Sequence, residues 1–246
     1  MNASAQKDSL YEKHWITEKN DTLPYRIFKP DNYNPSKKYP LILFLHGAGE
    51  RGNDNEAQLV HGSSLFLQDS IREQFPAFVV FPQCQAASYW SNVNITTDSV
   101  SKKRTFEFHT GGEPTIAMQM LEKLIVQLKK DYSIDKKRMY VGGLSMGGMG
   151  TFELVRRNPS LFAAAFPICG GAHPATAPLL LKTNWWIFHG LKDDVVDPEF
   201  SKKMADAIER RGGQMRLSLF PNANHNSWDS AFAEKGLLPW LFSNHK

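Results

Sequence analysis

Short, uninterrupted apolar runs recur along this chain between segments of helical period, and this alternation restricts the fold more than any other feature of the sequence. Runs at Tyr25–Phe28, Leu41–His46, Phe78–Phe81, Met139–Gly142, Ala163–Ile168, Trp185–His189 and Leu217–Phe220 have the length of strands. Several are continuous rather than alternating, as parallel strands covered on both faces require. Between them Ile116, Met120, Leu121, Leu124, Ile125 and Leu128 recur at spacings of three and four. That period predicts a helix from Pro114 to about Lys130, with Pro114 suited to the first turn. Two more helices are expected at Met146–Arg157, ended by Asn158-Pro159, and Pro198–Arg211, ended by Gly212-Gly213. The alternation predicts an α/β fold: a doubly wound, mostly parallel sheet with right-handed crossovers and helices on both faces. All 246 residues fit one such domain, with 1–20 as an N-terminal extension or an edge strand.

Composition removes several classes. A hydrophobic content of 41% and a charged content of 22% are ordinary for a globular chain, so disorder and fibrous architectures are not expected. The net charge of +4 comes from scattered basic pairs such as Lys129-Lys130, Arg156-Arg157 and Lys202-Lys203, read as solvated helix faces rather than a nucleic-acid surface. The tightest cluster, Lys102-Lys103-Arg104, would attract an acidic substrate only weakly. No apolar run approaches the roughly 20 residues of a membrane span. Ala3-Ser4-Ala5 before Gln6 has the form of a cleavage site. A cytoplasmic chain is therefore expected if the N-terminus is native, and a periplasmic or secreted one if a signal peptide was removed. Cys84 and Cys169 lack metal-ligand spacing and are expected to be buried thiols. The strands ending at Phe81 and Ile168 should lie about three spacings apart, roughly 14 Å, too far for a disulfide.

Gly143-Leu144-Ser145-Met146-Gly147 fits G-x-S-x-G, with a strand leading in and a helix leading out. The glycines permit a sharp, crowded turn that lifts a serine hydroxyl above the sheet edge. Such a hydroxyl is a poor nucleophile until a base takes its proton, and the base needs an anion to orient it. In the chain order Ser, acid, His, the loop after Trp185–Gly190 supplies Asp193, with Asp194 as rival. The loop after Leu217–Phe220 supplies His225; His189, at the end of an apolar strand, is read as structural. The oxyanion needs two N–H donors: Met146 follows the nucleophile, and Ala48 in the glycine-flanked turn after Leu41–His46 is the best second.

The stretches Leu43–Gly52, Gly142–Gly148, Phe188-His189-Gly190 with Asp193, and His225–Trp228 resemble the bacterial phospholipase/carboxylesterase and dienelactone-hydrolase-like esterases of the α/β-hydrolase superfamily, including their "predicted peptidase" branch. The resemblance runs from about Tyr25 onwards. It implies Ser145 as nucleophile, Asp193 as orienting acid, His225 as base, and Ala48 and Met146 as oxyanion donors, without metal or cofactor. In that family a Pro-Gln-Cys run, here Pro82-Gln83-Cys84, precedes a pocket-lining tryptophan. Trp90 fits that place, although Gln85 stands where proline is expected. Arg51 in Glu50-Arg51-Gly52 would orient the oxyanion loop or touch substrate.

Two irregular regions, Pro82–Glu113 and Gly170–Thr183, follow strands and should wall the site. The short stretch Cys169–Asn184 leaves no room for a large lid domain. An open site lined by Trp90 and Trp228 suits small acyl or aromatic esters, carbohydrate-linked ones included, better than long-chain triglycerides. Peptide or thioester cleavage by the same triad is the alternative, as is a catalytically silent binding module.

Overall fold

The computed structural model describes residues 10–101 and 103–246. Ala3-Ser4-Ala5, Gln6 and Lys102 of the basic cluster lie outside the described residues. Strands β1 (Glu12–Glu18), β2 (Asp21–Phe28), β3 (Tyr39–Leu45), β4 (Phe78–Pro82), β7 (Ile134–Leu144), β8 (Ala164–Ile168), β9 (Asn184–Gly190) and β10 (Met215–Phe220) form one sheet in the order β1-β2-β4-β3-β7-β8-β9-β10. The pairs from β4 through β10 are parallel, while β1–β2 and β2–β4 are antiparallel. β1 lies at the edge of the sheet and alternates exposed residues (Lys13, Trp15, Thr17) with the half-buried His14 and Ile16.

Each strand sends alternate side chains to opposite faces, as the period of two dictates. Leu23, Ile27, Leu41, Leu43, Leu45 and Val141 enter one core with helices α3 (Ile116–Asp131), α4 (Met146–Arg157) and α5 (Glu199–Glu209). Phe28, Ile42, Phe44, Val79, Phe81 and Phe166 enter the other with α1 (Ser63–Phe66), α2 (Asp69–Gln74), α6 (Trp228–Phe232) and α7 (Leu237–Ser243). Helices thus cover both faces. The first turn of α3 is capped by Thr115, whose Oγ1 accepts from Met118 N–H (3.1 Å) and donates to Tyr89 C=O (2.6 Å), so the helix starts just after Pro114. Strands β4 and β8 are separated by β3 and β7, and Cys84 and Cys169 are both free and buried.

Pro82–Glu113 is not irregular throughout: β5 (Val93–Thr97) and β6 (Arg104–Phe108) pair as an antiparallel hairpin. It is held to the body by Phe106 and Phe108, which pack with Met149, Val196 and Phe200. Arg156-Arg157 is not a solvated pair. Both guanidiniums bond the buried Glu153 carboxylate (2.7 Å each), while Arg157 also donates to Gly112 C=O (2.9 Å), fastening the segment after the hairpin. Among the described residues no helix is long and apolar enough to cross a membrane.

Candidate active site

Ser145 stands between β7 and α4 with φ 54° and ψ −116°, a conformation that costs an L-residue about 1–3 kcal/mol. The surroundings enforce it. Ser145 N–H donates to Ile168 C=O on β8 (2.9 Å), and its own C=O accepts from Met149 N–H (3.0 Å). Gly147 lies so close to the end of β3 that a β-carbon there would sit 1.9 Å from Leu45 O. Only glycine lets α4 begin at that point, which is what raises the hydroxyl over the sheet edge.

The loops after β9 and β10 meet beside this hydroxyl because they are stapled together. Leu191 N–H bonds Phe220 C=O (2.9 Å), Lys192 N–H bonds Ala223 C=O (3.0 Å), and Asn224 Oδ1 accepts from the N–H groups of both Asp194 (3.1 Å) and His225 (2.7 Å). His225 Nε2 lies 2.9 Å from Ser145 Oγ, and its Nδ1 lies 2.9 Å from Asp193 Oδ2. The structure therefore brings the three expected residues together, with Asp193 rather than the exposed Asp194 on the histidine.

Asp193 also accepts from the N–H groups of Val195 and Val196 (2.9 Å each) and from His189 Nε2 (3.1 Å). Burial opposes its charge, but the hydrogen bonds from His189, His225 and Val196 outweigh this and hold the carboxyl well below the usual carboxylate range. Its contribution to stability is thus full above the ordinary carboxylate pKa and declines as pH falls from there through the lowered one. His189 is fully buried, as its apolar strand implied, yet it has a task the sequence reading did not assign. Its Nε2 faces two acceptors, Asp193 and Val196 C=O (2.9 Å), and must carry a hydrogen, so it props the carboxylate from behind. The signal was the i, i+4 spacing of His189 and Asp193 across the strand end.

Ala48 and Met146 are each the first residue of a helical turn, Ala48–Glu50 and α4, where an N–H has no partner within the turn. His46, which the sequence reading treated only as part of the turn, sets the direction of the first of them. Its Nδ1 donates to Gly47 C=O (2.6 Å) and its Nε2 accepts from Cys84 N–H (2.9 Å), so the ring is neutral with a fixed tautomer. Gly47 C=O and Ala48 N–H are opposite ends of one planar trans peptide; holding the carbonyl aims the N–H the other way. Arg51 supports the same turn by donating to Ala48 C=O (3.1 Å) and to the carbonyls of Ala86 and Ser88 (3.2 Å each).

Burial lowers the His46 pKa from 6.5 to about 4. Between those values the unfolded chain binds a proton that the folded chain does not, so stability falls as pH drops through that window. Urea unfolding at about pH 7 and about pH 5 should show this loss in the wild type and a smaller one in His46→Gln. Equal losses in the two proteins would remove His46 as its source.

Of the two tryptophans expected at the site, Trp228 lies beside His225. Half-buried, its ring lies 5.5 Å edge-on from His225 and 5.0 Å from His61, whose Nε2 is 3.8 Å from Glu50 Oε1. Trp90 is not in the wall. It is fully buried, with its ring 5.4 Å from that of His46, because Gly150 leaves it room: a β-carbon there would lie 2.4 Å from Trp90 Cβ. Tyr89, its neighbour, takes the more open place, over Met149. Cys169, Asp193 and His225 bring potential metal ligands within 4.8 Å of one another. Burial and the Asp193 charge push the Cys169 thiol up, however, against the thiolate that a metal would need.

Sheet order, elbow and Ser–His–Asp array define the fold of an α/β hydrolase. Residues 17–240 match the model of an esterase family described as "Putative esterase", and the chain belongs to that family. It is 30% identical over 175 residues to a bifunctional acetylxylan esterase/xylanase of Neocallimastix patriciarum, covering 70% of this chain and 21% of that protein. It is 26% identical to a "probable feruloyl esterase C" of Aspergillus oryzae, covering 77% of this chain and 62% of that one. The chain thus spans from about a fifth to about three fifths of these relatives' lengths. A solved thermostable esterase superposes with TM-score 0.86 at 32% identity, covering 98% of this chain and 64% of that one. A ferulic acid esterase of Anaeromyces mucronatus shares the fold with TM-score 0.67 at 16% identity, covering 95% and 90%.

Proposed function

We propose that this chain is a serine carboxylic-ester hydrolase acting through an acyl-enzyme on small acyl or aromatic esters whose alcohol is a carbohydrate. The observation that carries the mechanism is the unbroken line from Ser145 Oγ through His225 to Asp193, at 2.9 Å per step. His225 takes the serine proton as Oγ attacks the ester carbonyl, and Asp193 stabilises the imidazolium. The N–H groups of Ala48 and Met146 receive the oxyanion. The alcohol leaves with the proton from His225, which then activates the water that releases the acid. The substrate class is supported by relatives named for acetylxylan and feruloyl esters and by a site over which the described residues form no large lid. The motifs shared with the phospholipase/carboxylesterase and dienelactone-hydrolase-like enzymes support the same chemistry.

Hydrolysis of p-nitrophenyl acetate, methyl ferulate and acetylated xylan, with a peptide and a thioester alongside, tests the reading. Ester turnover should exceed the others, and Ser145→Ala should lower kcat by about 10⁶. Preference for the peptide or thioester would reassign the substrate, and ester turnover that survives in Ser145→Ala would remove the mechanism.

A further inference from the structure

A groove of about 520 Å³ opens beside the oxyanion turn, a size suited to a small ligand. Arg51, Tyr89, Ser91, Asn92, His109 and Glu113 are among its walls. Its inner end is near the chemistry: Arg51 holds Ala48 C=O, and the Tyr89 hydroxyl is 3.9 Å from Sδ of Met149, one helical turn after Ser145. Its outer end lies between the β5–β6 hairpin, through Val93 and His109, and the start of α3 at Thr115 and Ile116. Ser145, Asp193 and His225 are not among its lining residues, so it would hold what is attached to an ester rather than the ester itself.

The walls are largely polar: Ser88, Asn92, His109, Glu113 and Thr115 line the groove together with the Tyr89 ring. The formal charges of Arg51 and Glu113 are opposite, which disfavours a strongly charged ligand of either sign. An aromatic ring beside hydroxyl, amide, imidazole and carboxylate groups fits a neutral ligand that both donates and accepts. We infer that this groove binds sugar units of the carbohydrate chain that bears the scissile ester. The inference rests on the esterase reading above and names the part of the substrate that reading leaves unplaced.

Affinity electrophoresis of the Ser145→Ala protein through gels containing soluble arabinoxylan tests it without turnover. Retardation is expected, and it should weaken at least about fivefold in Ser145→Ala combined with His109→Ala and Glu113→Ala, both exposed wall positions. Ala87→Leu, which fills the groove from an exposed loop, should weaken it as well. Unchanged migration, or equal retardation in all three proteins, overturns the groove assignment. The esterase reading fails separately, by absence of ester turnover in the wild type.

Discussion

Asp193→Asn should lower kcat about 10⁴-fold, whereas Asp194→Asn should change it far less. Both are single-atom exchanges on adjacent residues, so the contrast isolates position. Asp193 has four donors converging on its carboxylate, from His225, His189, Val195 and Val196. An asparagine must turn an NH₂ group toward one side of that set. Facing His225, it would donate to Nδ1 and place the hydrogen on Nε2, where the lone pair is needed for the serine proton. Facing the other way, it would oppose the N–H groups of Val195 and Val196 and loosen the loop. Asp194 is exposed and contributes only its backbone N–H, to Asn224. Steady-state kinetics on p-nitrophenyl acetate decide the matter: comparable losses in the two variants, or a larger loss at 194, would reassign the acid.

The second large effect is on folding. Gly147→Ala should destabilise the protein by more than about 4 kcal/mol, or prevent soluble expression. The new methyl would lie 1.9 Å from Leu45 O and 2.4 Å from Leu45 C, both backbone atoms of a central strand that cannot swing aside. Relief requires α4 to move off β3, and that movement would separate Met146 from Ala48. Gly49→Ala is the matched control, since a β-carbon there meets nothing within 4 Å. Urea unfolding of the two variants beside the wild type measures the contrast, and a Gly147→Ala midpoint close to that of wild type would contradict the packing described.

What the sequence made legible followed from burial. The parallel strands are apolar on both faces, so Leu41–Leu45 and Trp185–Phe188 announced themselves; β7 was found only from Met139 on because Asp135–Arg138, at its start, is polar. The hairpin escaped for the same reason. Val93–Thr97 is mostly exposed, and the two buried residues of β6, Phe106 and Phe108, are too few to mark a period. The Ser145, Asp193 and His225 positions were readable because strand ends fix where each loop emerges. Supporting contacts were not. Trp90 was placed at the rim from its position in a loop, although the room for it comes from Gly150, sixty residues away in the chain. Glu153 with Arg156 and Arg157 has the i, i+3 and i, i+4 spacing of helix ion pairs, a usable signal that a solvated-face reading overlooked.

The backbone at Ser145 also bears on how such a chain can change over generations. The position holds a conformation that glycine accepts freely and serine does not. Replacing Ser145 with glycine therefore removes an energetic burden at the same stroke that it removes a hydroxyl. Selection acting on foldedness alone would drift away from serine here, and only selection on turnover would hold it. A serine at so unfavourable a torsion is a folding cost that only a task for its hydroxyl would offset, which is not true of a buried leucine of the same sheet.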